Sequence, residues 1–190
     1  LLNGIERLKN AQAKAHNDIK DTLKRQLDEI EHANATSNSK AQAKQMVNEE
    51  ARKALSNIND ATSNDLVNQA KDEGQSAIEH IHADELPKAK LDANQMIDQK
   101  VEDINHLISQ NPNLSNEEKN KLISQIKKLV NEIKNEIHQA INKQQIENAT
   151  TKLDEVIETT KKLIIAKAEA KQVIKELSQK KRDAINNNTD

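Results

Sequence analysis

The feature that most restricts this chain is that it repeats itself. Setting Ala13-Lys14-Ala15 through Ile19 against Lys90-Leu91-Asp92-Ala93 through Ile97, and against Lys167-Ala168-Glu169-Ala170 through Ile174, brings the three isoleucines into register. Eleven residues further on, Ile30, Ile108 and Ile185 coincide as well. Later in each copy Ile58 matches Ile137, Ala61 matches Ala140, Val67 matches Ile146, Ala70 matches Ala149 and Ile78 matches Ile157. The offsets are 77 to 79 residues, so the 190-residue chain holds about two and a half copies, with one-residue differences in expected loops such as 109–118. A period of that length means a tandem array of one supersecondary unit.

The spacing within a copy is helical. Ile19, Leu23, Leu27 and Ile30 mark one apolar stripe. Val47, Ala51, Ala54 and Ile58 mark a second, and Val67, Ala70, Gly74, Ala77/Ile78 and Ile81 a third. Steps of three and four belong to the helix and not to the strand. In the second copy the stripes are Ala93, Ile97, Val101, Ile104 and Ile108; Ile126, Leu129/Val130, Ile133 and Ile137; and Ile146, Ala149, Leu153 and Val156/Ile157. Three stripes per copy predict an all-α fold of tandem three-helix bundles of spectrin-like kind.

Breaks fall between stripes. Residues 34–39 (Asn-Ala-Thr-Ser-Asn-Ser) and 111–115 (Asn-Pro-Asn-Leu-Ser) separate the first two helices, and Ser115 with Glu118 has the spacing of a capping box. Residues 61–65 separate the second and third, with Thr62, Ser63 or Asn64 as N-cap. Between copies, residues 82–87 form either a loop or a kink with Pro87 in the first turn of the next helix. The matching stretch 159–168 has neither Pro nor Gly, which predicts one helix from about Ile146 to Ile185 serving two bundles. The expected domains are a first repeat over 1–86, a second over 87–163 and the first helix of a truncated third over 164–190. Shared or near-continuous helices would join them into an elongated rod, and the lone last helix should fray or find a neighbour's surface.

Composition narrows the function classes. There is no Phe, Trp, Tyr or Cys, and there are only two Gly and two Pro. A chain of this size without aromatic rings lacks the usual filling of an enzyme core. Two glycines cannot build a phosphate-cradling loop, and without cysteine there is no disulfide frame, thiolate zinc site or thiol nucleophile. Low hydrophobicity (34%) points toward disorder, but the net charge is only −2 and the stripes are regular. The charge balance and absent aromatics also disfavour nucleic acid as a partner. No apolar run approaches the ~20 residues of a membrane span. Neither a signal peptide nor a complete sorting motif is visible, Leu86-Pro87-Lys88-Ala89-Lys90 included. The stretch reads as a piece of something longer.

Candidate chemistry is thin. His80 and His82, near Asp84 and Glu85, come nearest to a metal cluster, but residues two apart on a helix do not share a face. His16, His32, His106 and His138 read as surface residues. The pairs Glu49/Glu50, Glu117/Glu118 and Asp154/Glu155 lie beside Arg52/Lys53, Lys119 and Lys152, as ordinary surface ion pairs would. Acid–base work needs two carboxyls in different environments of one cleft. Lys127/Lys128 and Lys180-Lys181-Arg182 read as solvated faces. Asn34-Ala35-Thr36, Asn113-Leu114-Ser115 and Asn148-Ala149-Thr150 match the glycosylation pattern, as chance allows in an Asn-rich chain. Gly74 permits a close helix approach or a bend, yet Leu153 fills its place in the second copy, so the repeat does not require it. No catalytic, metal or cofactor residue is expected.

The arrangement Ala15-x-x-x-Ile19, Ile30, the loop at 34–36, Ile58-x-x-Ala61-Thr62 and Val67-x-x-Ala70-x-x-x-Gly74-x-x-x-Ile78 resembles a helical repeat of giant wall-anchored proteins of staphylococci and related Gram-positive bacteria. Leu2-Asn3-Gly4 with Leu8 and Ala11 also resembles the junction of the GA and FIVAR modules in the giant extracellular-matrix-binding family. The second copy departs from the pattern at Ile141, for Thr62, and at Leu153, for Gly74. The resemblance implies a stalk segment of a surface adhesin, extracellular and envelope-anchored through its parent. Its implied partner is host matrix such as fibronectin, bound weakly or multivalently, and the segment itself is expected to be monomeric. It implies no catalytic residues. Two other readings stand beside it. One is a module that binds fibronectin or albumin directly, although the usual Tyr and Trp anchors are missing. The other is an intracellular coiled-coil array, which would show sustained heptads where these stripes break.

Overall fold

A computed structural model describes residues Leu2–Asn188. Six helices follow one another: α1 (Leu2–His32), α2 (Ser37–Asp60), α3 (Asn64–Glu79), α4 (Leu86–Ser109), α5 (Asn116–Gln139) and α6 (Lys143–Asn187), with no strand among the described residues. The chain is all-α, as the stripes require. It divides into two compact units, the first reaching Lys88 and the second starting at Ala89.

The helix starts recur at matching positions. Thr36 caps α2 by accepting from Ser39 N–H, and its counterpart Ser115 caps α5 by accepting from Glu118 N–H, closing the expected capping box. Ser63 caps α3, and its counterpart Asn142 caps α6. Each supplies an acceptor to a backbone donor the helix cannot satisfy itself, a contribution of about 1 kcal/mol. The Thr62-to-Ile141 difference is therefore harmless to capping, since the cap is the next residue.

In the first unit α1, α2 and α3 all approach one another to within 8 Å between Cα atoms. Ala15, Ile19, Ile30, Val47, Ala51, Ala54, Ile58, Val67 and Ile78 are buried between them. The small residues set this spacing. A Cβ on Gly74 of α3 would lie 2.4 Å from Ala54 Cβ on α2 and 3.0 Å from Ile19 Cδ1 on α1. Gly74 thus permits the expected close helix approach in this copy, while Leu153 fills its place in the other. In the second unit the aligned pair is Leu153 against Ile133, both fully buried, and Ala51 is matched by Val130. There α5 and α6 still approach closely, whereas α4 stands further off, with Ile97, Ile104 and Ile108 spanning the gap. The two copies are one topology at two widths.

The ends of the third helices differ. Helix α3 stops at Glu79, residues 81–85 are non-helical, and Pro87 sits in the first turn of α4. Helix α6 continues unbroken for 45 residues, through the positions at which α3 has ended. It runs slightly beyond the expected Ile146–Ile185 at both ends.

Candidate interaction face

The polar residues singled out by sequence are engaged separately. His80 Nδ1–H donates to Ser76 O at 2.6 Å, while His82 pairs with Glu29 of α1 at 2.9 Å. Their rings turn to different partners, and no group of three His, Cys, Asp or Glu among the described residues could hold a metal ion. His32 bonds to Asp28 O, His16 is half-buried, and His106 and His138 are exposed. Glu50 pairs with Lys53, Glu118 belongs to the capping box and pairs with Lys167, and Asp154 pairs with Lys100. Glu49, Glu117, Glu155, Lys127, Lys128 and the 180–182 cluster lie on exposed helix surface. Of the glycosylation patterns, two lead into N-caps and the third lies within α6. Glu31 on α1 has its carboxyl held below its usual range by a hydrogen bond from Lys44 and that lysine's charge. A charged surface groove beside it, lined by Asp28, Glu31, Lys24 and Lys44, has both signs interleaved.

Further polar residues repeat in register, and the apolar alignment did not reveal them. Lys40 Nζ closes the end of α1 by donating to Glu31 O at 2.7 Å; its counterpart Lys119 does the same to Ser109 O at 2.9 Å. Gln12 reaches Ile58 O at 3.2 Å at the end of α2, and its counterpart Lys90 reaches His138 O at 2.8 Å at the end of α5. These long side chains satisfy carbonyls that a terminating helix leaves free. In the first unit Gln26, only 5% exposed, donates to Ile81 O at 2.7 Å, a carbonyl released because α3 has stopped. Its counterpart Ile104 needs no such bond, because α6 stays helical at the matching residue, Thr160.

Against that frame the far half of α6 stands out. Its residues Leu163, Ala166, Ala170, Ile174 and Ile185 occupy the places of Leu8, Ala11, Ala15, Ile19 and Ile30, and of Leu86, Ala89, Ala93, Ile97 and Ile108. Ile19 and Ile97 are each 0% exposed, whereas Ile174 is 63% exposed. Ile30 and Ile108 are buried, whereas Ile185 is 54% exposed. Val173 and Leu177 extend the same bare face. Lys167 occupies the place of the end-closing Gln12 and Lys90. Most of a first-helix stripe is present and uncovered, with Ser178 at the place of Leu23 and Val101 and Lys181 at that of Ile104.

The repeat also decides the family. A family model described as Domain of Unknown Function (DUF1542) matches residues 11–86 and again 89–164. The chain belongs to the DUF1542 family. Among its relatives are proteins named extracellular matrix-binding protein EbhA in Staphylococcus aureus strain Mu3 and extracellular matrix-binding protein ebh in strain JH9. Each is 40% identical over 187 residues, or 98% of this chain. The strain Newman EbhA is equally similar. The chain spans only 2–5% of the length of these relatives. No solved structure matches it. The two DUF1542 matches fall on the α1–α3 and α4–α6 triplets and leave the far half of α6 outside.

Proposed function

We propose that this DUF1542 chain is a stalk segment of a bacterial surface adhesin, a non-enzymatic spacer that carries other modules away from the cell. The observation that supports it most is α6. One 45-residue helix holds the third stripe of the second repeat and, after it, the first stripe of another. The domain reading is accordingly 1–86, 87–163 and 164–190, with residues 1, 189 and 190 outside those described. A helix of 45 residues measures about 67 Å, so sharing it fixes the direction of one bundle by the next. Relatives named for extracellular-matrix binding support placing the parent at the extracellular surface, with matrix as its partner; fibronectin is the matrix protein this reading puts forward. In this reading the segment is a monomer, makes weak contacts at most, and assigns no residue to catalysis, metal or cofactor.

Small-angle scattering of the whole chain tests the stalk. A rod of end-to-end helical bundles has a radius of gyration of about 30 Å, against about 16 Å for a compact globule of this length. A value near the latter, or a two-lobed distance distribution, contradicts it. Binding of the same sample to soluble fibronectin or albumin at micromolar affinity or tighter would replace the spacer by a direct binding module.

A further inference from the structure

Between two constant apolar positions of the first helix several residues vary from copy to copy, and one of them varies together with the residue that faces it. Ile19, Ile97 and Ile174 are identical, as are Ile30, Ile108 and Ile185. Between them lie Thr22, Lys100 and Leu177 at equivalent positions, and the facing residues on the third helix are Gln75 and Asp154. In the first unit Gln75 Nε2 donates to Thr22 Oγ1 at 3.0 Å, and Thr22, 1% exposed, donates onward to Asp18 O at 2.9 Å. In the second unit Lys100 Nζ and Asp154 Oδ1 form an ion pair at 2.5 Å. Both members of the pair have changed, and they remain complementary.

Constant layers give cohesion but no discrimination. In an array of similar repeats, any first helix could dock on any second-and-third-helix hairpin, which is the route to swapped assemblies. Discrimination needs a position at which the wrong combination loses something. Opposite Leu177, Gln75 would lose its hydroxyl partner, and the half-exposed Asp154 would lose its lysine and have an aliphatic side chain crowd out part of its water.

We infer that this layer matches each first helix to its hairpin, and that the bare face of α6 takes a helical hairpin of the same repeat type. That hairpin carries an aliphatic side chain where the first repeat has Gln75 and the second has Asp154. The inference rests on the reading of α6 as the first helix of a third repeat.

The test extends the chain. Residues 188–190 are replaced by a copy of residues 111–163, which supplies a hairpin in the natural register after Asn187. Two versions are made, one with the native sequence and one with Asp154→Leu in the added copy alone. Amide exchange over residues 173–187 is the readout. The Asp154→Leu version is expected to exchange about fivefold more slowly, or slower still, than the native copy. Equal protection in both versions, or better protection with Asp154, overturns the matching layer and leaves the third-repeat reading intact. Protection in neither version overturns both.

A second measurement uses the chain without extension. Thr22→Val and Gln75→Leu should each raise the unfolding constant of the first unit, and the double variant should recover about fivefold of the product of the two. Independent, multiplying effects would mean that the two residues do not act as a pair, and would overturn the inference without touching α6.

Discussion

Gly74 shows how little at one residue sets the width of a bundle. Its missing Cβ lets α3 lie against Ala54 of α2, where even a methyl would collide at 2.4 Å. Gly74→Ala gains about 1 kcal/mol of helix propensity but must push two backbones apart, so a net loss of about 1–3 kcal/mol is expected. Adding Ala54→Gly removes the collision and should return stability close to wild type. Thermal or urea unfolding of the three variants checks this, and a stable Gly74→Ala single variant would refute the tight-contact account. Glu31 gives a second residue-scale prediction. Lys44 lowers its folded pKa beneath the usual 4.5, so its contribution is present above that value and fades as pH falls through the folded one. Any melting difference between wild type and Glu31→Gln at pH 7 should therefore shrink as the pH is taken below 4.5.

At the scale of the element, equivalent positions have unequal consequences. Ile97 of α4 is fully buried and Ile174 of α6 is bare, although the sequence around them is aligned. Ile97→Ala should cost about 2–5 kcal/mol, while Ile174→Ala should change stability by less than about 0.5 kcal/mol. Comparable losses at both positions, measured by chemical unfolding, would mean that the α6 face is covered in solution. Much of this level was legible beforehand. The stripes at steps of three and four marked all six helices, and Ser115 with Glu118 marked a start, because those features depend on residues near in sequence. At Gly74 the sequence offered a close approach or a bend, and only the fold shows that Ala54, on another helix, makes it a close approach. Gln26 was missed for a related reason: it answers a carbonyl that is free only because α3 ends at Glu79. Aligning the polar positions as well as the apolar ones would have exposed Lys40 with Lys119 and Gln12 with Lys90.

For the molecule as a whole, the period says what is repeated and the side chains say how each copy departs from it. Small residues draw the first bundle tight, larger aliphatics widen the second, and the first unit's third helix ends in a loop while the second unit's runs on uninterrupted. The absence of aromatic residues fits both bundles, since aliphatic stripes suffice where three helices enclose a narrow core. The stalk reading depends on α6 being straight and continuous past the end of the second repeat. Because the chain has no cysteine of its own, spin labels can be placed at Gln144→Cys and Lys180→Cys on exposed positions of that helix. Pulsed dipolar spectroscopy should give a single narrow distance near about 54 Å, the length of the helix between them. A broad distribution, or one centred below about 40 Å, would show that the helix breaks where the second repeat ends, and the shared-helix stalk would fall with it.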